Sequence, residues 1–379
     1  MNYSISEKDS GWAVKTWEKI QVKMDAECTR IGSNIPYIPV DGHYRDLDAP
    51  EGIYWWTNGF WPGMLWQMYH AAGDEKYRRA AEGVEARLDE ALEGYEGLHH
   101  DVGFMWLHSA AANYRLTGNR DSLRRALHAA NLLAGRYNPA GKFIRAWNGD
   151  RTGWIIVDCM MNIPLLYWAS RETGDPRFEY IARDHADTCR RIIVRADGSC
   201  NHIAVLSPES GECLELPGGQ GFASGSSWSR GQAWGLYGFA LSFAHTKKIE
   251  YLDTAKAIAH YVIANLAQND WLPPVDFRSP EKPVKYDSTA AMISACGILE
   301  IAAHAGEYEK PLYVQSALKI LRACDAAFSN WNKDEDAIMG HGTGSYHGTG
   351  KDADAPIIYG DYFFIEAILR LLGKDFLIW

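Results

Sequence analysis

The segment Gly73-Asp-Glu-Lys-Tyr77 decides the fold, because it is a compact helix-to-helix turn that returns along the chain. A glycine suits the left-handed residue that ends one helix, and Asp, Asn or Pro suits the first turn of the next. Related turns occur at Gly118-Asn-Arg-Asp-Ser-Leu123, Gly174-Asp-Pro-Arg-Phe178, Lys247-Lys-Ile-Glu-Tyr251 and Gly306-Glu-Tyr-Glu-Lys-Pro-Leu-Tyr313. This recurrence predicts an internal repeat of helical hairpins.

The sequence on either side of these turns predicts twelve helices in two sets. One set is amphipathic and charged, near residues 11–31, 75–93, 120–136, 176–195, 249–267 and 311–328. The other set is far more apolar, near residues 59–72, 104–116, 156–172, 230–245, 288–304 and 360–372. The alternation of six polar-faced and six apolar helices predicts an outer and an inner ring. Such a structure is an all-α (α/α)6 barrel, here a single domain over residues 1–379. An open helical solenoid would show the same alternation and is the alternative.

The connectors between the helices indicate where a site would lie. Connectors from outer to inner helices are long and rich in Gly, Trp, His and Asp, near residues 32–58, 94–103, 137–155, 196–229, 268–287 and 329–359. In an alternating barrel these long connectors all emerge at one end. Long loops in compact domains usually carry function, so we expect the site at that mouth.

The composition is that of a folded globular protein, with 47% hydrophobic and 23% charged residues. These fractions exclude a disordered or collagen-like chain. The formal net charge of −10 argues against a non-specific nucleic-acid binder, which needs an excess of cations. The 15 Trp exceed what one core requires, and surplus tryptophan is typical of sites that stack against flat ligand faces.

The cysteines and the N-terminal sequence predict the compartment. Seven Cys are scattered without a CxxC pair, which favours free thiols in a reducing environment. The first residues lack a basic region followed by an apolar one, and no stretch of about 18 apolar residues occurs. We therefore expect a cytoplasmic protein without a membrane or nucleic-acid partner, present as a monomer or a weak homo-oligomer.

Two aspartates at neighbouring inner-helix entrances are the candidate acid and base. Asp158 lies in an apolar segment, Ile155-Ile-Val-Asp-Cys-Met-Met161, with no cation beside it. A carboxyl group there loses hydration and keeps a proton near neutral pH, as a general acid requires. Asp101 lies in Leu98-His-His-Asp-Val-Gly-Phe104, so the two carboxyl groups could face each other across a funnel. A buried Asp that only caps a helix is the competing interpretation of Asp158.

The run His99-His100-Asp101 raises a metal site as an alternative. We expect side chains that are adjacent in sequence to diverge, and the chain contains no HxH or HExxH motif. The sequence therefore predicts a site without a metal ion.

Two glycine-rich segments carry further candidate binding residues. In Gly218–Trp234, the glycines bring backbone amides close to a ligand, Arg230 offers a carboxylate clamp, and Trp234 a stacking face. A GxG pattern is present there but follows no predicted strand, which disfavours a nucleotide site. In Gly342–Lys351, the amides, hydroxyls and one lysine form a candidate anion site for a group such as sulfate. A flexible loop with a solvated lysine explains that second segment equally well.

Six segments, taken in chain order, resemble the unsaturated glucuronyl hydrolases of glycoside hydrolase family 88. They are Trp56-Thr-Asn-Gly-Phe-Trp61, His99-His-Asp-Val-Gly-Phe104, Ile156-Val-Asp-Cys-Met-Met-Asn-Ile-Pro-Leu-Leu166, Trp228-Ser-Arg-Gly-Gln-Ala-Trp-Gly-Leu-Tyr-Gly-Phe-Ala240, Tyr286-Asp-Ser288 and Gly360-Asp-Tyr-Phe-Phe364. The resemblance spans nearly the whole chain and implies the (α/α)6 barrel. It also implies release of the 4,5-unsaturated uronic acid that polysaccharide lyases leave at the non-reducing end of oligosaccharides.

The resemblance implies roles for individual residues. Asp158 matches the family's general acid/base, and Asp101 matches its second essential aspartate. The family's substrate-recognising positions match Trp56, Trp147, His202, Gln220, Arg230 and Trp234, and we add Ser345 and Lys351 from the second glycine-rich segment. One departure is Asn58, where we expect Asp in close relatives.

The implied reaction is hydration of the C4=C5 vinyl ether, which needs no metal or organic cofactor. Asp158 would protonate C4 and guide water to C5, Arg230 or His202 would orient the substrate carboxylate, and Asp101 would hold ring hydroxyls.

Two alternative functions remain. The unsaturated rhamnogalacturonyl hydrolases of family 105 share this fold and chemistry but prefer pectin-derived substrates, and a carbohydrate-binding protein without catalysis would keep the same pocket.

Overall fold

The helix-to-helix turns have the conformation that the sequence predicts. Gly73, Gly118 and Gly174 end their helices with φ of 74°, 75° and 72°, which is the left-handed conformation that glycine adopts at little steric cost. The side chains of Asp74 and Asn119 accept hydrogen bonds from the first backbone N–H groups of the helices that follow. Each such cap stabilises its helix by roughly 1 kcal/mol.

The computed structural model of the chain describes residue 3, residues 5–280 and residues 282–379. These residues form fourteen α-helices: α1 (Glu7–Ile31), α2 (Phe60–Ala72), α3 (Glu75–Arg87), α4 (Asp89–Gly94), α5 (Val102–Trp106), α6 (Ala112–Thr117), α7 (Arg120–Ala134), α8 (Pro164–Thr173), α9 (Pro176–Ile192), α10 (Ser229–Thr246), α11 (Ile249–Ala267), α12 (Ser288–His304), α13 (Lys310–Phe328) and α14 (Ile358–Leu371). No helix in the described part of the chain combines the length and hydropathy needed to cross a membrane.

The inner ring consists of α2, α5 with α6, α8, α10, α12 and α14, whose residues are mostly buried except in α6. Each inner helix packs against the next, and α14 packs against α2, so the first and last members close the ring. This closure confirms the (α/α)6 barrel and excludes the open solenoid. At Gly297 an added Cβ would lie 2.2 Å from Leu236 Cδ2, so a glycine is needed where α12 approaches α10.

Two inner helices are less regular than the sequence predicts. The second is interrupted between α5 and α6 by one π-helical turn over Leu107–Ala111. The third begins as a 3₁₀ turn over Val157–Met161 and becomes α-helical only at Pro164. The predicted continuous helix near 156–172 is therefore wrong at its start, because Pro164 lacks the backbone N–H that an uninterrupted helix requires.

Five short strands lie in the connectors: β1 (Tyr137–Asn138), β2 (Phe143–Ile144), β3 (Trp154–Ile156), β4 (Ile203–Leu206) and β5 (Cys213–Glu215). Strands β1 and β2 form a hairpin, and β3, β4 and β5 form an antiparallel sheet in that order. The pairing of β3 with β4 joins two connectors that lie on either side of the α8–α9 hairpin, and so fixes their relative position.

Charged contacts at α1 link the N-terminal helix to the last long connector. The Arg30 guanidinium donates to Asp336 Oδ1 through Nε at 2.9 Å and through Nη2 at 2.6 Å. Asp336 is 4% exposed, and its Oδ2 accepts a hydrogen bond from the Tyr44 backbone N–H at 2.9 Å. These bonds hold together the parts of the chain where the ring closes.

Arg30→Ala is expected to lower the free energy of unfolding by about 2 kcal/mol, because it leaves the buried Asp336 carboxylate without its cation. The measurement is urea denaturation at neutral pH. The matched control is Arg124→Ala, which removes an ion pair whose two side chains are each 70% exposed and should cost less than about 0.5 kcal/mol. Equal losses in the two variants would contradict a special role for this contact in closing the ring.

Candidate active site

A cavity of about 240 Å³ is lined by residues from four consecutive outer-to-inner connectors and the helix entrances that follow them. It brings together six of the predicted site residues: Asp101, Asp158, Trp56, Trp147, Gln220 and Arg230. Six further residues line the cavity: Glu51, Trp55, His99, His100, Ile156 and Trp228. The cavity thus lies among the long connectors, as the sequence predicts.

The β3–β4 pairing positions Asp158 beside His202. Ile156 pairs with Ile203, and the Val157 N–H continues the ladder by donating to the His202 carbonyl at 3.0 Å. The next residue, Asp158, then points its Oδ2 at His202 Nε2, 3.6 Å away. Within the described residues neither atom has a hydrogen-bond partner, so both are available to a ligand in the cavity.

Asp101 lies directly before α5 and is held by Asn162. The Asn162 side-chain N–H donates to Asp101 Oδ1 at 2.8 Å, while Asn162 Oδ1 accepts from the Phe104 backbone N–H at 2.8 Å. Burial raises the pKa of Asp101 to about 7, and the nearby charge of Asp158 acts in the same direction. Asn162 lies one helical turn after Asp158. The sequence shows this spacing, but it did not lead us to predict a role for Asn162.

Histidines flank Asp101 on both oxygens. His99 Nδ1 lies 3.4 Å from Asp101 Oδ2, and His100 Nε2 lies 3.2 Å from Asp101 Oδ1. Burial lowers the pKa of each histidine to about 4, so both imidazoles are neutral at neutral pH. Asp101 therefore faces two uncharged rings.

The prediction that the side chains of His99, His100 and Asp101 diverge is wrong, because one donor atom from each lies within 4.8 Å of the others. Two acceptor atoms of this cluster already accept hydrogen bonds from N–H groups of the protein. Asn162 donates to Asp101 Oδ1, and the Asp101 backbone N–H donates to His99 Nδ1 at 3.4 Å. A metal ion would need such lone pairs directed at itself. These hydrogen bonds engage Asp101 Oδ1 and His99 Nδ1, whereas His100 Nε2 has no hydrogen-bond partner among the described residues.

Trp56 and Trp147 are both partly exposed in the cavity, but Trp234 is not. Trp234 is fully buried, with its ring 5.1 Å from Phe104 and 6.4 Å from Trp56 at an interplanar angle of 82°. No face of the Trp234 ring is exposed in this structure, so its role in stacking against a substrate stays a prediction. Its ring instead supports Trp56 from the core side.

Arg230 lines the cavity, but its guanidinium is already paired with protein groups. It forms a buried ion pair with Asp287 and donates to the carbonyls of Thr343 at 2.8 Å and Gly344 at 2.6 Å. Asp287 also caps α12, and its negative charge compensates the cation inside the wall. Arg230 thus holds the loop that contains Gly344. The sequence predicted that Arg230 binds a substrate carboxylate, but it did not predict this structural role.

The second glycine-rich segment is anchored to the cavity wall through Gln220. Gln220 Nε2 donates to the Gly344 carbonyl at 2.6 Å, one residue before Ser345. Lys351 lies farther out, where its amine donates to the Asp48 side chain at 2.9 Å. Neither Ser345 nor Lys351 lines the cavity.

Asn58, the expected departure from the family, is a buried structural residue. Its side-chain N–H groups donate to the carbonyls of Gly52 at 2.9 Å and Ile53 at 3.0 Å. An aspartate could not donate either bond, so the amide shapes the turn that precedes Trp55 and Trp56.

The sequence profile of Glycosyl Hydrolase Family 88 matches residues 39–334. The chain belongs to this family. It is 39% identical to the unsaturated glucuronyl hydrolase of Bacillus sp. strain GL1, over 83% of this chain and 86% of that protein. Because the chain belongs to family 88, the alternative that it is an unsaturated rhamnogalacturonyl hydrolase of family 105 is excluded.

Solved structures of family 88 members show the same fold. The unsaturated glucuronyl hydrolase of Streptococcus agalactiae superposes with a TM-score of 0.90 and 30% identity, over 99% of this chain and 94% of that one. An Asp-to-Asn variant of the S. agalactiae enzyme, crystallised with dGlcA-GalNAc6S, superposes with a TM-score of 0.83 and 29% identity, over 97% and 93% of the two chains.

Trp147→Ala and Trp234→Ala are expected to have different effects, because only Trp147 is exposed in the cavity. Trp147→Ala should raise KM for a saccharide substrate while leaving the free energy of unfolding nearly unchanged. Trp234→Ala removes a fully buried ring and should lower the free energy of unfolding by about 3–5 kcal/mol. Steady-state kinetics and urea denaturation of both variants check this. A stable Trp234→Ala protein with a raised KM would restore the direct stacking role.

Proposed function

We propose that this family 88 chain releases the 4,5-unsaturated uronic acid from the non-reducing end of oligosaccharides produced by polysaccharide lyases. The observation that carries the proposal is the pair of carboxyl groups, Asp101 and Asp158, in one small cavity walled by tryptophan rings. A related enzyme of known structure was crystallised with a saccharide of this type, dGlcA-GalNAc6S. We therefore place glycosaminoglycan-derived disaccharides first among the substrates.

The substrate brings its own activated bond, a vinyl ether conjugated to a carboxylate. Protonation of C4 converts the C4=C5 bond into an electrophilic centre at C5, and water adds there as a base removes its proton. The resulting hemiketal collapses and expels the leaving sugar. We assign both proton transfers to Asp158, which protonates C4 as the acid and then, as a carboxylate, accepts the proton of the attacking water. Asp101 holds ring hydroxyls of the substrate.

Sugar recognition falls to the remaining residues around the cavity. Trp56 and Trp147 offer stacking faces, while His202, Gln220 and Arg230 provide polar groups for the ring substituents and the carboxylate. Because Asp287 already compensates the Arg230 charge, the unpartnered His202 Nε2 is the freer donor for a substrate carboxylate.

Ser345 and Lys351 are our proposed contacts for an anionic group on the leaving sugar. Their loop is fixed to the wall by Gln220 and Arg230, which both donate to the Gly344 carbonyl. Lys351 would exchange its Asp48 partner for the ligand, and its amine is 42% exposed and able to do so.

We further propose that the chain forms one catalytic domain that works in the cytoplasm. The inner ring runs from α2 to α14, and α1 packs against α14, so the packing is continuous along the chain. All seven cysteines are free thiols, which suits a reducing compartment.

The test is turnover of lyase-generated unsaturated disaccharides, followed by loss of the ultraviolet absorbance of the conjugated double bond. Asp158→Asn should lower kcat by at least ~10²–10⁴-fold, because an amide can neither accept nor deliver the proton. The matched control is Asp150→Asn, an exposed aspartate on the connector that precedes β3, which should leave kcat unchanged.

Two outcomes would contradict this function. Near-normal activity of Asp158→Asn would remove that carboxyl group from the mechanism. Tight binding of the disaccharides by the unmodified protein without any loss of absorbance would instead favour a carbohydrate-binding protein.

A further inference from the structure

The cavity is small for an oligosaccharide. Its volume of about 240 Å³ lies below the ~300–1,000 Å³ of pockets that enclose drug-sized ligands. The unsaturated uronate has to reach Asp158 inside this cavity, so the leaving sugar extends over the rim. Residues at the rim are therefore in a position to recognise that sugar.

Arg151 lies beside this rim, in the connector between β2 and β3. The carbon of its guanidinium is 5.3 Å from the ring centroid of Trp147 and 5.2 Å from that of Trp154. Contacts of this kind attract a cation to the electron-rich face of an indole. Because Trp147 also lines the cavity, the Arg151 cation is one side chain away from it.

The charge of Arg151 is not neutralised by a neighbouring carboxylate. Its side chain is exposed and, in the described part of the chain, makes the two ring contacts but no hydrogen bond or ion pair. Contacts with ring faces leave the N–H groups of a guanidinium available to an oxygen ligand. Lys351 differs, because its amine must first leave Asp48.

Two further arginines add positive charge to this connector. Arg136 and Arg145 both donate to the Trp147 carbonyl, at 2.9 Å and 2.7 Å, and their other guanidinium bonds go to backbone carbonyls and to the Asn148 side chain. None of these acceptors carries a charge, and Asp150 is the only acidic residue of the connector. In a chain with a net charge of −10, this local excess of cations attracts an anionic saccharide.

We propose that Arg151 binds an oxyanion of the leaving saccharide, either a sulfate or the carboxylate of a further uronate. This inference rests on the proposed function and adds a recognition residue to it. A guanidinium holds two oxygens of such a group through paired N–H groups. The two indole rings already restrict the Arg151 side chain, so less conformational entropy is lost when the anion binds.

The test compares Arg151→Gln with the unmodified protein on three lyase products. They are an unsulfated disaccharide, the same disaccharide sulfated on the leaving sugar, and an unsulfated tetrasaccharide, which carries a second uronate carboxylate. If Arg151 binds the sulfate, the ratio of kcat/KM for the sulfated over the unsulfated disaccharide should fall about 5-fold, mainly through KM, as expected of an ion pair at an exposed site. If it binds the uronate carboxylate, the ratio of the tetrasaccharide over the disaccharide should fall instead.

The matched control is Arg177→Gln. Arg177 is also exposed and lies over an aromatic ring, with its guanidinium carbon 4.4 Å from the centroid of Phe178. It lies at the start of α9, next to the short turn at Gly174 and so at the end of the barrel opposite the long connectors. This variant should change neither ratio.

Ionic strength gives a second readout, which a role of Arg151 in packing alone would not move. Salt screens exposed charges, so kcat/KM for the saccharide that Arg151 recognises should fall more steeply with NaCl than kcat/KM for the unsulfated disaccharide. Arg151→Gln should bring the two slopes together. Slopes that differ as much in Arg151→Gln as in the unmodified protein would overturn the proposal.

Two kinetic results would also overturn it. The first is that both ratios are unchanged in Arg151→Gln. The second is an equal loss of kcat/KM on all three saccharides, which would mean that Arg151 only supports Trp147. Turnover of the unsulfated disaccharide tests the proposed function by itself, so the assignment of Arg151 can fail while that function stands.

Titration calorimetry provides a test that does not depend on turnover. In the Asp158→Asn protein, the added change Arg151→Gln should raise the Kd of the sulfated disaccharide or of the tetrasaccharide about 5-fold. Equal Kd values with and without Arg151, or no binding of either saccharide, would overturn the proposal.

Discussion

Two carboxyl groups that face one small cavity repel each other when both are ionised, and the site of this protein is arranged around that constraint. Asp101 is buried beside neutral imidazoles, and burial raises its pKa to about 7. Asp158 is slightly more open, and its Oδ2 lies 3.6 Å from His202 Nε2. The two carboxyl groups thus have different surroundings, as two carboxyl groups with different roles in one site require.

The barrel makes this difference possible because it controls where the connectors end. The ring of inner helices places the entrances of α5 and α8 side by side, and Asn162 bonds across them to Asp101. The β3–β4 ladder then sets His202 against Asp158. Replacement of the first α-helical turn by a 3₁₀ turn over Val157–Met161 lets the chain leave the strand and enter the inner ring while Asp158 still faces the cavity.

The fold could be predicted from sequence because its signals are local. The glycine caps at Gly73, Gly118 and Gly174 and the alternation of charged and apolar helices need no knowledge of distant contacts. The two aspartates were also predictable, since each marks an inner-helix entrance. The pairing of Arg230 with Asp287 and the burial of Trp234 were not predictable. Each depends on side-chain partners brought from other connectors, and no local pattern encodes those partners.

The central claim is that the enzyme attacks the C4=C5 bond and not the glycosidic bond, and isotope placement tests it most directly. Turnover of an unsaturated disaccharide in D₂O, sampled early by NMR, should put one deuterium at C4 of the released keto-uronate, and turnover in ¹⁸O-water should label C5. Product incubated alone in each solvent supplies the rate of non-enzymatic exchange. Deuterium absent from C4, with ¹⁸O found only at the anomeric carbon, would contradict the account and make Asp101 and Asp158 an ordinary glycosidase pair.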